Sequence, residues 1–483
     1  MNLKTTGGLV LLLAALVGFV YFYEIRGADE RYRARVEAGR LLRLDEDAVS
    51  GLTVQRGDTS IVIRKSGATW RILQPVATGG DHGEIVGLIR TLRQMDLERV
   101  VADSVRIARG RVSLSEFGLH RPNLALAIKQ ADRVDSLFWG DRSPTGRYSY
   151  IRWSGHPGIL TVGAPFRLRV EKGLFQLRDK RIADFNPETV RKVEIANGDA
   201  RVVVEKLSDE WRLTIPVKDR TDDDAVRKLI NRLRTAEFRR VVAEASRERV
   251  QYGLENPTLT VSIFDGDRDR QKIITIGRRK EGSRFPPFFA AFSASPVVFL
   301  VDSTFVADVR KTSSDLRFKR IFAFDAAGVD RLKLAYRNRV VECIRDKAGD
   351  TWEVLQPKLH IVLEHRIRHF IRTIELLEAE EFVAEALKAP EEFGFDRPAL
   401  EVTAWRRGAV VQKLIIGERG GKVYARGRHR PQVARIDHKV LTKLKLELVP
   451  VKPDVVQPDT VRLGFGVRRV TDWCHVPKIW PAS

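Results

Sequence analysis

Trp70-Arg-Ile-Leu-Gln-Pro75 returns as Trp211-Arg-Leu-Thr-Ile-Pro216 and again as Trp352-Glu-Val-Leu-Gln-Pro357, with the tryptophans 141 residues apart both times. Each copy reads as a short strand ended by a proline, which has no N–H to give to a neighbouring strand. The segment that follows keeps the same offset. Ile85, Leu88, Ile89 and Leu92 map onto Val226, Leu229, Ile230 and Leu233, then onto Ile367, Phe370, Ile371 and Ile374. Spacing of i, i+3, i+4, i+7 marks the buried face of an amphipathic helix. Asp81 with Glu84, and Thr221 with Asp224, stand where a capping box belongs; the third copy has Leu363 there and lacks the device.

A third landmark lies in register with the first two. Phe117-Gly-Leu-His-Arg-Pro122, Tyr252-Gly-Leu-Glu-Asn-Pro257 and Phe393-Gly-Phe-Asp-Arg-Pro398 each join an aromatic-glycine pair to a proline, the signature of a fixed turn into a strand. Glycines recur in the next strands at Gly140, Gly277 and Gly417. One module is thus expected to run strand–strand–strand, helix, glycine turn, three or four strands, short helix. Repeats of this kind decide the fold before any local reading does. The expected class is α+β: three tandem modules at residues 41–182, 183–321 and 322–449, behind one N-terminal transmembrane helix.

That helix is expected in residues 1–23. Thr5 to Tyr23 is nineteen residues without a charge, about 28 Å as a helix against a hydrocarbon core of about 30 Å. Tyr21, Phe22 and Tyr23 would sit at an interface, and the exit Tyr23-Glu-Ile-Arg-Gly-Ala28 is a poor cleavage site, so the run reads as an uncleaved single-pass anchor. Residues 24–40 form a charged stalk, and residues 450–483 a tail punctuated by Pro450, Pro453, Pro458, Pro477 and Pro481. The Arg-rich flank from Arg26 to Arg43 argues for a cytoplasmic bulk by the positive-inside rule, although large domains often translocate regardless of flanking charge.

The 483 residues carry 85 Lys and Arg against 63 Asp and Glu, a net charge of +22, with 61 Arg and 24 Lys. Such a charge attracts polyanions without specifying a fold. Because it is spread along all three modules rather than gathered on one face, nucleic acid is disfavoured as a partner. Two cysteines, Cys343 and Cys474, exclude a disulfide framework and leave a single bridge between them open.

These landmarks resemble the bacterial "domain of unknown function 4340" family. The resemblance is carried by the N-terminal run, the opening strand Val49-x-x-Leu52-x-Val54, the Trp-x-x-x-x-Pro strand and the aromatic-Gly-Leu-x-x-Pro turn, over residues 41–449. It implies an inner-membrane protein with its bulk outside the cytoplasm, encoded beside transport components of the ATP-binding-cassette, gliding-motility type. It supplies no catalytic residues.

His365 and His369 share a helix face as zinc ligands can, but Arg366 stands where the metalloprotease glutamate belongs, and both lie opposite the apolar stripe. Asp222-Asp223-Asp224 reads as a helix cap, Gly417-Glu-Arg-Gly-Gly-Lys422 as a hairpin turn, and Asp472-Trp-Cys-His475 as a tail segment without a third catalytic partner. No catalytic, cofactor or metal residues are assigned. The most suggestive feature is an aromatic-arginine cluster, Trp139, Arg142, Arg147, Tyr148, Tyr150, Arg152 and Trp153, which could stack on a sugar or peptide partner, or pack as ordinary strand residues. The expected function is a non-enzymatic envelope scaffold or binding protein serving an ATP-binding-cassette-type transport or gliding-like complex. A binding module for an anionic polymer or lipid, and an envelope-polymer hydrolase with an unidentified site, are the alternatives.

Overall fold

The computed structural model describes residues 39–450 apart from 246–248, 267–269, 283, 322–327, 347–350 and 359. The described chain falls into two compact units: one ends at Phe318 and holds two sheets, and the other starts at Lys319 and holds a third.

In the first sheet, strands β1 (Val49–Arg56), β2 (Thr59–Ser66), β3 (Thr69–Gln74) and β4 (Thr78–Gly79) form one antiparallel meander. Strands β6 (Leu124–Gln130), β7 (Arg133–Arg142), β8 (Tyr148–Trp153) and β9 (His156–Gly163) form a second. The two meet where β1 pairs with β6, Leu52 opposite Ile128 and Val54 opposite Leu126. Strand β5 (Arg99–Ala102) closes the far side against β9, so the order is β4-β3-β2-β1-β6-β7-β8-β9-β5. The same order recurs in the second sheet, between Val190 and Val301. Its central pair sets Val193 opposite Ile263 and Ile195 opposite Val261. The third sheet repeats it with eight strands, Leu332 facing Ala404 and Leu334 facing Val402, while His360–Ile361 pairs separately with Val449–Pro450.

Period-two alternation turns one side of each strand inward, and one twelve-residue helix covers that side. Helix α1 (His82–Arg93) buries Ile85, Leu88, Ile89 and Leu92; α2 (Asp223–Arg234) buries Val226, Leu229, Ile230 and Leu233; α3 (Glu364–Glu375) buries Ile367, Phe370, Ile371 and Ile374. Each such side chain contributes about 1.5–3 kcal/mol on leaving water. The caps differ in detail from expectation. Asp81 accepts the Glu84 N–H at 3.0 Å, but Glu84 turns to Lys172 instead of completing a box. In the second copy Asp222, not Thr221, caps the helix, and Thr221 Oγ1 donates to the Trp211 carbonyl at 2.8 Å. Leu363 caps the third without a side-chain bond. All three Trp-x-x-x-x-Pro strands end in a cis peptide before the proline.

The α+β class is corrected. The fold is mostly antiparallel sheet, with helices confined to one long and a few short turns per module. The long helices dominate the hydropathy pattern, whereas strands of two to eleven residues leave weaker traces. Strand β5 was missed outright, although Arg99-Val-Val-Ala102 returns as Arg240-Val-Val-Ala243 and Glu381-Phe-Val-Ala384. Among the described residues no helix is long and apolar enough to cross a membrane. The residues assigned to the anchor, nearly all of the stalk, and the tail from residue 451 lie outside the described residues.

The glycine turns pack onto the second meander of each sheet. Gly118, Gly253 and Gly394 end short 3-10 turns at φ 67°, 69° and 70°, in the left-handed region. Gly140, Gly277 and Gly417 then receive the turn's carbonyl so closely that an added Cβ would lie 2.0, 2.2 and 2.1 Å from the oxygens of Phe117, Tyr252 and Phe393. Gly140→Ala should therefore cost about 2–3 kcal/mol, an overpacking penalty. Gly87→Ala, on α1 with nothing within 4 Å of the new methyl, should stabilise by about 0.5–1 kcal/mol. Urea unfolding of the two variants would show shifts of opposite sign; equal behaviour would refute the contact.

Candidate functional site

The segment that leaves the first module serves two sheets at once. Asp81 N–H donates to the Leu177 carbonyl at 2.8 Å and Asp179 N–H to Gly79 at 2.9 Å, so residues 177–179 extend the β4 edge. Immediately afterwards Ile182 N–H donates to Ala236 and Phe238 N–H to Lys180, both at 2.9 Å, on the side of the second sheet where β5's counterpart begins. A single linker strand is thus hydrogen-bonded to both sheets of the first unit. The first sheet receives an equivalent entry strand from its own N-terminal side, Leu41 N–H to Met95 and Leu97 N–H to Gly39.

Behind the linker lies Arg178, 2% exposed, in a bidentate pair with Glu244 at 2.8 and 3.0 Å and 6.0 Å from the Phe238 ring. In front of it opens a polar cleft of about 590 Å³. Its walls are Trp70 and Arg71 on β3, Gly79 to Gly83 at the start of α1, then Asp179, Arg181, Asp184 and Glu237. Most of its charges are already matched. Lys180 Nζ donates to Asp81 at 3.0 Å, and Arg181 binds Asp179 at 2.6 Å and Asp184 at 3.0 Å. Arg71, His82 and Glu237 are the charged or titratable wall residues without an ion pair among the described residues. Burial alone would raise the Asp81 carboxyl, but the Glu84 N–H and the Lys180 ammonium outweigh it and hold the group below the usual aspartate range. A smaller groove of about 230 Å³ lies beside Trp211 in the second module.

This site was missed in the sequence, although a signal exists. Leu177-Arg-Asp-Lys-Arg181 returns as Leu316-Arg-Phe-Lys-Arg320. Arg317 is likewise buried, 4% exposed, and paired with Asp219.

The aromatic-arginine cluster is divided by the sheet. Trp139 is fully buried in the core beneath the long helix, its indole N–H without a hydrogen-bond partner among the described residues, and Trp153 packs on the same core while donating to Asp135 at 3.0 Å. Tyr150 belongs to the other face, edge-on to Phe117 at 4.7 Å, and alternation puts Tyr148 and Arg152 on its side. Arg142 and Arg147 are exposed at the ends of the β7–β8 hairpin. These residues do not form one stacking platform.

The other candidates resolve simply. His365 and His369 are exposed on α3. Asp222 accepts the N–H groups of Asp224 and Ala225, Asp223 accepts the Thr221 hydroxyl, and Asp224 pairs with Arg227 at 2.6 Å. Gly420 and Gly421, at φ 58° and 73°, form the two-residue turn of the hairpin between Arg419 and Lys422. Asp472 to His475 lie outside the described residues, as does Cys474. Cys343 is a buried free thiol, pushed up to about 12 by burial and by the neighbouring Glu342. Among the described residues, no three His, Cys, Asp or Glu side chains group as a metal could use.

Two outcomes follow from these environments. Because the Asp81 carboxyl is depressed in the folded state, its stabilisation is complete above the ordinary aspartate value and fades as pH falls below about 4. Asp81→Asn, which keeps the cap but loses the charge facing Lys180, should flatten the acid limb of a thermal midpoint against pH; an unchanged limb would refute the role. Iodoacetamide at pH 8 should leave Cys343 unmodified in the native chain and alkylate it after denaturation, as peptide mass mapping would show.

A family model described as "Domain of unknown function (DUF4340)" matches residues 70–221 and again residues 211–391. Each match starts at a tryptophan of the repeated strand. No curated protein and no solved structure matches the chain. The two matches together span well over half of the sequence, and the chain belongs to the DUF4340 family.

Proposed function

We propose that this protein is a non-enzymatic scaffold or binding protein of the cell envelope, held at the inner membrane with its bulk outside the cytoplasm, and accessory to a transport complex of the ATP-binding-cassette type. The observation that carries the reading is the linker strand shared by the two sheets of the first unit. It presents the cleft walls in a fixed arrangement, with Arg71, His82 and Glu237 available to a polar partner segment. Sites used for recognition gain affinity when their geometry is set before binding. The charge-matched walls of the cleft suit recognition better than proton transfer, which needs an acid or base poised near working pH.

Two further observations support the setting. The uncharged run Thr5–Tyr23 has the length and composition of a membrane attachment, and the family resemblance points to envelope transport machinery.

The test is in-cell crosslinking and affinity purification through a C-terminal tag, with external protease applied to the same cells. Wild-type protein should recover membrane transport subunits and carry a protease-sensitive tag. A double variant, Arg71→Glu with Glu237→Lys, alters two exposed cleft residues and should lower that recovery at least fivefold while unfolding like wild type. A protected tag bringing down cytoplasmic proteins would overturn the placement, and undiminished recovery by the variant would overturn the role of the cleft.

A further inference from the structure

The hairpin that follows the glycine turn is basic in every module, but in the second it is built differently. Strand Arg270–Arg279 leads through Lys280 and Arg284 to Phe285-Pro286-Pro287 and the strand Phe288–Phe292. Phe285 is 73% exposed, the most exposed large apolar side chain among the described residues. The Arg284 guanidinium lies 5.6 Å from its ring. Arg278, Arg279, Lys280 and Arg284 are all exposed, and none has a carboxylate partner among the described residues. The single acid of the tip is Glu281.

The hairpin is anchored at its base. Lys280 N–H donates to the Pro287 carbonyl at 2.8 Å, Arg278 Nε donates to the Gln251 carbonyl at 2.7 Å, and the rings of Phe288 and Phe289 are buried beneath Arg279 and Arg278. The bond to Gln251 ties the hairpin to the turn Val250–Tyr252, whose Val250 is itself 66% exposed. Two prolines restrict the backbone next to Phe285 and withdraw two N–H donors from it. The result is a hairpin braced at its base, on which the exposed Phe285 stands among cations that have no carboxylate partner among the described residues.

We infer that this hairpin docks on an anionic phospholipid surface, with Phe285 entering the headgroup layer and Arg279, Lys280 and Arg284 meeting lipid phosphates. The chemistry selects that occupant. A soluble polyanion would use the cations and leave an exposed phenylalanine in water. A lipid interface takes both, since aromatic rings settle at headgroup depth and basic residues are drawn to the negative surface potential. The hairpins of the other modules carry Arg142 and Arg147, or Arg419 and Lys422, with no exposed aromatic comparable to Phe285. The inference goes beyond the scaffold reading and does not require its partner.

Flotation tests it. Full-length chain, its hydrophobic N-terminal run held in a phosphatidylcholine nanodisc, is mixed with vesicles of phosphatidylcholine alone or with 30% phosphatidylglycerol. Wild-type protein should co-float with the anionic vesicles at least tenfold above the neutral ones at 50 mM salt, and lose most of that retention at 500 mM. Phe285→Ser, and separately Arg279→Glu with Arg284→Glu, should each lower retention at least fivefold. Both alter exposed side chains, and circular dichroism and urea midpoints should match wild type. Arg142→Glu with Arg147→Glu, on the first module's hairpin, should leave retention unchanged. Flotation that survives the second-module variants, or no preference for anionic vesicles, overturns the inference. So does a Phe285→Ser protein that floats normally while only the charge variant fails, which would identify a polyanion site instead of a lipid one.

Discussion

Backbone hydrogen bonds of the linker strand hold the first unit together. Residues 177–182 give and receive pairs on both sides, and a buried edge strand without them would leave N–H and C=O groups with no partner, at a cost of about 1–3 kcal/mol each. That requirement explains the neighbours. The chain must remain extended from Leu177 to Ile182, so period two sets Asp179 and Arg181, which pair with each other, on one side and Arg178 and Lys180 on the other. Arg178 points inward to Glu244, while Lys180 reaches back to Asp81. A buried ion pair of this kind adds little net stability, because desolvating two charges offsets most of their attraction. Its value lies in registry: a linker slipped by one residue would bury the wrong side chain and strand the Arg178 charge.

The second constraint is the glycine contact between each turn and the second meander. The carbonyl of the aromatic before each left-handed glycine lies against a glycine of the second strand after the turn, with no room for a side chain. This contact fixes the turn over the outer face of the second meander. There the small clusters around Leu119 and Ile159 in the first module, and around Leu254 and Phe289 in the second, bury what the helices do not. Each module therefore has a main core under its long helix and, in the first unit, a satellite core under its glycine turn.

Much of this was legible in the sequence because it is local or periodic. The Trp-Pro strand, the helical stripe and the aromatic-glycine turn each write their geometry into consecutive residues. What was not legible depends on distant pairing. Strand β5 is four residues long and owes its existence to β9, more than fifty residues later. The capping residue moved from Thr221 to Asp222 because the threonine hydroxyl finds the Trp211 carbonyl, a partner ten residues away. The aromatic cluster could have been parsed better, since period-two alternation along Tyr148 to Trp153 already separates Tyr148, Tyr150 and Arg152 from Trp153. Composition drew attention to residues that the pleat sends to opposite faces. The cleft, by contrast, is assembled from segments near residues 70, 80, 180 and 237, and only the repeated Leu-Arg-x-Lys-Arg offered a hint.

The equal spacing of the tryptophans invites the view that the modules are equal in length throughout, and the landmarks argue otherwise. From Trp70 to Gly118 there are 48 residues, against 42 from Trp211 to Gly253; from Gly140 to Arg178 there are 38, against 40 from Gly277 to Arg317. The extra residues of the first module fall around the short helix Ser104–Ala108, which has no buried residue. Surface insertions of this kind are cheap, because loop-closure entropy grows only slowly with length. From each tryptophan to its helical stripe, however, the offset never changes, since a shift of one residue there would rotate the apolar face of the helix off the sheet. The period of 141 is thus a sum of compensating differences, and the true invariant is the short stretch from strand to helix on which the main core of each module is built.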